Sequence, residues 1–183
     1  MKRFTDAGRA AIDAGNLYAG LSLALMIPDI CASLEDPGPG KSKERHVRWF
    51  RDWAEPKFTS RLGSGMRHVF ISAEDCYRLR CSVVHSGQSY IDDQNTKGLN
   101  RFEFFDETVG AHLNWFQLNF ADGRCAEGFL QLKASSFSRT MFEIANEWDS
   151  AKANDAAVQQ QKAKLLLVHS KGARLGGGAV LFS

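Results

Sequence analysis

Cysteine pairs, catalytic fingerprints and long apolar runs are all missing from this chain of 183 residues. Cys31, Cys76, Cys81 and Cys125 form no C-x-x-C pair, and no Cys/His spacing suits zinc. A disulfide framework would need an oxidising compartment, and the N-terminal region lacks the marks of export. The apolar run Leu17–Ile27 starts late and follows Asp6 and Asp13 instead of a basic segment. Pro28 and Asp29 stand where a lipoprotein signal ahead of Cys31 needs small apolar residues. The 11 residues of that run fall short of the about 20 that a bilayer requires. The expectation is a cytoplasmic protein with reduced thiols and no membrane association. H-E-x-x-H, G-x-S-x-G, Walker A and dinucleotide fingerprints are also absent, as are internal repeats. The formal net charge is only +2, which excludes the global basicity of a protein that coats nucleic acid.

What is present suits one globular domain, since 44% of residues are hydrophobic and 24% charged. Thr5 is placed to cap a short helix ending near Gly15, and Asn16 the next. In that second helix Leu17, Leu21, Ala24, Cys31 and Leu34 share a stripe, which Pro28 either kinks at Ala24 or restarts. Asp36–Gly40 (Asp-Pro-Gly-Pro-Gly) reads as a loop. His46, Trp49, Phe50 and Trp53 then recur at helical spacing, with Arg45, Arg48 and Arg51 opposite. Pro56 and the Gly63–Gly65 pair break order. Ser72 followed by Asp75 resembles a capping box that opens a helix to about His85, with Gly87 placed to end it.

Between residues 101 and 133 the period changes. Arg101–Asp106, His112–Phe120 and Cys125–Lys133 read as strands of a small antiparallel meander. A bulge is expected between Trp115 and Phe116, and Asp122-Gly123 marks a hairpin turn. Phe137, Met141, Ile144, Trp148 and Ala151 then predict a long helix that continues through Val158 to Leu165. The expected fold is mainly α: an antiparallel helical bundle over residues 1–172, a β insertion before the long C-terminal helix, and a flexible tail from 173 to 183. The glycines of that tail, Gly176–Gly178, are followed by no P-loop lysine.

Chemistry concentrates in the helix that Ser72 opens. On a helical wheel at about 100° per residue, with Leu79 at zero, Val83, Cys76, Val84 and Tyr77 span about 40° to 160°. Arg80 falls inside this apolar arc, where an unpaired charge is costly, so it requires a carboxylate, a second subunit or an anionic ligand. Arg78 and His85 fall on the far side, about 140° from Arg80 in the case of His85. Convergence of Arg80 and His85 therefore calls for the long arm of Arg80 or the two chains of a dimer.

The string Tyr77-Arg-Leu-Arg80-Cys-Ser-Val-Val-His85-Ser-Gly87 resembles the HEPN superfamily, whose members carry an Arg, four to six intervening residues and a His near a helix end. Arg80 to His85 has the four-residue interval and Arg78 to His85 the six. Ile27-Pro-Asp-Ile-Cys31 and the Lys-rich turn into Trp49 are similar to a plasmid- and defence-associated branch of HEPN-like proteins. The resemblance implies a metal-independent RNase of toxin or defence type, without cofactor or metal. Its homodimer would bring two motifs face to face. Arg80 would hold the phosphate and His85 act as acid or base while the phosphate is transferred to the neighbouring 2′-OH. Tyr77 and Arg78 are the adjoining candidates for substrate contact. An antitoxin or a nucleotidyltransferase is the kind of protein partner implied. Cys81 stands where the family carries a polar residue, which keeps a non-catalytic HEPN-like module for RNA or a partner as the alternative.

Ordinary structural roles stand beside these readings. Glu74 lies at i−4 from Arg78, the favourable order for a helix ion pair. His85 suits the negative end of its helix. Arg80 has Asp29 and Asp75 among its candidate partners, and His46, Trp49, Trp53 and Trp148 read as core. His68, His112 and His169 have no companions in the sequence. Residues 41–80 hold ten basic and five acidic side chains, a net of +5, against −4 for residues 91–122. Positive charge thus gathers beside the candidate site, as phosphate contacts require, although charge runs are more often solvated faces.

Overall fold

The computed structural model describes residues 1–61, 63, 65–91, 99–108, 110, 112–119, 121 and 125–168. The hairpin turn expected at Asp122-Gly123, the tail and His169 lie outside these residues. Among these residues the fold is mainly helical, with six α-helices, α1 (Lys2–Asp13), α2 (Leu17–Glu35), α3 (Ser42–Trp49), α4 (Ala73–Ser86), α5 (Ala134–Ala151) and α6 (Ala156–Lys162). A short hairpin, β1 (Thr59–Arg61) with β2 (Arg67–Val69), precedes α4, and a three-stranded sheet precedes α5.

Helix α2 is the hub, packing on α1, α3, α4, α5 and α6. Asn16 caps it by accepting from the Ala19 N–H. Pro28 does not restart it: one helix of 19 residues runs through the proline. By length and composition it could cross a membrane, well beyond the run of 11 expected, yet half of its most apolar window is buried inside the bundle. Leu21, Ala24, Leu25, Ile27, Cys31 and Leu34 face the core. Helix α1 begins earlier than expected, at Lys2, so Thr5 sits within it, fully buried, and its hydroxyl bonds the Lys2 carbonyl and Asn146.

The stripe on α3 behaves as its spacing demands. His46, Trp49 and Phe50 are buried, and Arg48 and Arg51 are exposed. The α-helix gives way to a π turn over Phe50–Ala54 and a 3-10 turn over Glu55–Phe58. These turns seat Phe50 against Phe58, and Phe58 against Phe137 of α5. Each such large apolar side chain, fully buried, is worth about 1.5–3 kcal/mol.

Strands β3 (Arg101–Phe105), β4 (Asn114–Asn119) and β5 (Cys125–Lys133) form where expected but not as a meander. The order is β3-β5-β4, with β3 parallel and β4 antiparallel to β5. The longest strand takes the centre because its Leu130 and Leu132 are fully buried and need neighbours on both sides. The register irregularity falls at Leu118/Asn119 instead of Trp115/Phe116.

The long C-terminal helix is likewise shorter than its periodicity. It stops at Ala151, and Asp155 then caps α6 by accepting from the Ala157 and Val158 N–H groups. The break turns Val158 into the core and lets Lys162 reach back to Asp149. A straight helix would have carried both away from α2.

Candidate functional site

Helix α4 is fastened at both ends. Ser72 accepts from the Asp75 N–H at 3.1 Å, and Glu55 accepts from the Ala73 N–H at 3.2 Å. At the other end Gly87 adopts φ +64°, and its N–H and that of Gln88 return to the Val83 and Ser82 carbonyls. Ala73, Cys76 and Leu79 form the buried stripe. Arg80 therefore lies at the margin of the apolar arc, not its middle, with one fifth of its side chain exposed.

Asp29 is the partner of Arg80. The guanidinium donates through Nε to Asp29 Oδ2 at 2.6 Å. The other carboxylate oxygen faces His46 Nδ1 at 3.3 Å, and His46 is fully buried on α3. Nη1 of the same arginine stands 3.2 Å from Nε2 of His85, which is exposed at the C-terminal end of α4. Thus His46, Asp29, Arg80 and His85 form one line of contacts across α3, α2 and α4. Arg80 and His85 meet within a single chain, through the long arm of the arginine, although they sit far apart around the helix.

The electrostatics follow from that line. Burial pushes the Asp29 carboxyl up, but the His46 hydrogen bond and the charges of His46 and Arg80 outweigh it and hold it below the usual range. Burial also disfavours charge on Arg80, and the Asp29 carboxylate reverses this, raising its pKa. Arg80 Nη1 lies 3.9 Å from the Cys81 sulfur. Tyr77 packs edge-on against the His46 ring at 5.2 Å. Burial, then a hydrogen bond with Cys81, push its phenol up.

Arg78 does not take the i−4 partner expected of it. Glu74 pairs with Arg51 at 2.6 Å, joining α4 to the π turn, and Arg78 pairs with Asp75 at 3.3 Å. Glu74 is held instead by Arg51. Much of the basic window is engaged in the same way. Arg45 donates to the Asp36 and Gly38 carbonyls, Arg48 pairs with Asp36, Lys57 with Glu147 and Arg67 with Glu55. Part of the local excess of positive charge is thus met by carboxylates outside the window, Asp36, Glu147 and Asp29.

His46 is the member of the line that sequence spacing did not join to Arg80. Its signal was an aspartate directly after a proline in the most apolar helix, a position that demands a charged partner. His68 contacts the Phe70 and Trp115 rings, and His112 Nδ1 accepts from the Lys133 N–H at 3.2 Å. Among the described residues no three His, Cys, Asp or Glu side chains cluster as a metal site would need. Cys31, Cys76 and Cys81 are free thiols. No known protein family, curated protein or solved structure matches the chain.

Proposed function

We propose that the end of α4 is the active site of a metal-independent, HEPN-like endoribonuclease of toxin or defence type. The observation that carries this reading is the 3.2 Å approach of Arg80 Nη1 to His85 Nε2 at an exposed helix end. A fixed guanidinium beside an imidazole supplies a phosphate holder and a proton acceptor within one phosphodiester's span.

In the proposed step His85 takes the proton of a ribose 2′-OH as that oxygen attacks the adjacent phosphorus. The 2′-O–P bond forms, the P–O5′ bond breaks, and Arg80 bears the charge that builds on the phosphoryl oxygens. The products are a 2′,3′-cyclic phosphate and a 5′-hydroxyl. The imidazolium so formed on His85 then gives its proton to the leaving O5′ oxygen. A homodimer suits the surroundings, since Val84, next to His85 on α4, leaves 43% of its apolar side chain exposed. A reducing cytoplasm suits the free thiols.

The test is cleavage of RNA by purified protein in EDTA, with cyclic-phosphate ends as the product signature. Arg80→Ala and His85→Ala are each expected to slow cleavage by about 10²–10⁴-fold. Wild-type rates in both would overturn the assignment.

A second reading is a non-catalytic module that binds RNA or a protein partner such as an antitoxin or nucleotidyltransferase. It is favoured by Cys81 directly after Arg80 and by the Asp29 carboxylate that already neutralises the arginine. It predicts salt-dependent RNA binding with the RNA recovered intact.

A further inference from the structure

Which nitrogen of His85 carries its proton follows from the line of contacts. Arginine has donors only, so an Nη1 at 3.2 Å from His85 Nε2 requires that nitrogen to accept. That hydrogen bond fits the Nδ1–H tautomer of the ring, the reverse of the Nε2–H form that free histidine favours. Arg80 meets this nitrogen because its guanidinium is pinned from behind. Nε is tied to Asp29 Oδ2 at 2.6 Å, and Asp29 is tied through its other oxygen to the buried His46. Nη2 has no partner among the described residues.

We propose that Asp29 is a positioning residue: acting through Arg80, it holds His85 in the Nδ1–H tautomer and leaves Nη2 open for a ligand phosphate. Its catalytic consequence rests on the ribonuclease reading; the tautomer itself does not. In the resting protein Arg80 covers the lone pair on Nε2. A phosphodiester oxygen that takes over Nη1 and Nη2 would release that lone pair for the 2′-OH proton. The base is thus exposed when the phosphate it serves arrives.

The experiment is two-bond ¹H–¹⁵N correlation of the histidine rings at a pH of about 8.5, where histidine is neutral. It is paired with RNA cleavage in EDTA by the same samples. His112 is an internal control, since its Nδ1 accepts from a backbone N–H and fixes the opposite, Nε2–H, tautomer. In the wild type His85 and His112 should show opposite tautomers. Asp29→Asn keeps the shape and removes the charge; Asp29→Glu keeps the charge and moves it by one methylene. In both, His85 is expected to shift towards the Nε2–H form while His112 does not. Cleavage should fall about 10²-fold in kcat, with KM changing less. An Nε2–H His85 in the wild type, or an unchanged Nδ1–H form in either folded variant, overturns the proposal. If the tautomer shifts but the wild type cleaves no RNA, the positioning role stands and the ribonuclease reading fails. If the wild type cleaves RNA and Asp29→Asn retains both tautomer and kcat, the reverse holds.

Discussion

Replacing Asp29 by alanine takes one carboxylate from two partners at once, the Arg80 guanidinium at 2.6 Å and the His46 imidazole at 3.3 Å. Exposed ion pairs contribute about 0–1 kcal/mol, and breaking fully buried ones costs about 3–5 kcal/mol. Asp29 and Arg80 each keep only 20% of their side-chain exposure, so the pair lies nearer the buried limit. Asp29→Ala should therefore cost about 3 kcal/mol, because it strands a mostly buried cation and a buried imidazole donor. Arg80→Ala should cost about 2 kcal/mol, since Asp29 retains His46 and some water. The double variant should fall short of the sum by about 1.5–2 kcal/mol. In a chain of this size the Asp29→Ala loss lowers Tm by about 6–12 °C. Urea unfolding followed by tryptophan fluorescence measures all four corners of the cycle. The sign with pH is also determined. The Asp29 carboxyl titrates lower in the folded chain than its ordinary value of 3.8. Its contribution is complete above that ordinary value and disappears as pH falls through the lower, folded one. The penalty of Asp29→Ala should therefore shrink on acidification. A coupling below about 0.5 kcal/mol, or a penalty that grows in acid, would refute the network as a unit.

Gly8→Ala should destabilise the fold by about 1–2 kcal/mol in thermal melts, even though alanine is the better helix former by about 1 kcal/mol. Its methyl would stand 2.6 and 2.8 Å from ring carbons of the fully buried Phe142, and a stability gain would show that the ring yields freely. Asp155→Ala removes the cap of α6 and should cost about 1 kcal/mol, with faster amide exchange confined to α6. Exchange that rises throughout the bundle would contradict a local cap. Iodoacetamide under native conditions should label Cys81 well before Cys31 and Cys76, whose thiols burial pushes up. Peptide mass spectrometry would expose the opposite order.

The helices were legible because their signals are local. Asn16, Ser72 and Gly87 act through hydrogen bonds and backbone angles within one turn. The stripe of His46, Trp49 and Phe50 follows from the helical period alone. The sheet order was not legible, because β3, β4 and β5 each read correctly as strands while their pairing depends on which one most needs burial. Periodicity likewise ran on past Ala151, since the apolar spacing persists where Asp155 starts a new helix. Glu74 does not serve Arg78 for a tertiary reason, namely that Arg51 of another element pairs with it.

The candidate site divides along the same line. Composition, helix spacing and capping placed Arg80 and His85 on one helix and required a counter-charge for Arg80, because an arginine among apolar residues cannot stay unpaired. Which carboxylate answers it, and that His46 stands behind that carboxylate, depended on α2, α3 and α4 packing together. So did the meeting of Arg80 with His85, which the helical wheel sets about 140° apart and the pinned guanidinium brings to 3.2 Å. Local sequence dictates which residues a helix offers. Only the packed neighbours decide which of their polar atoms find each other, since desolvation makes each choice of partner a property of the whole core.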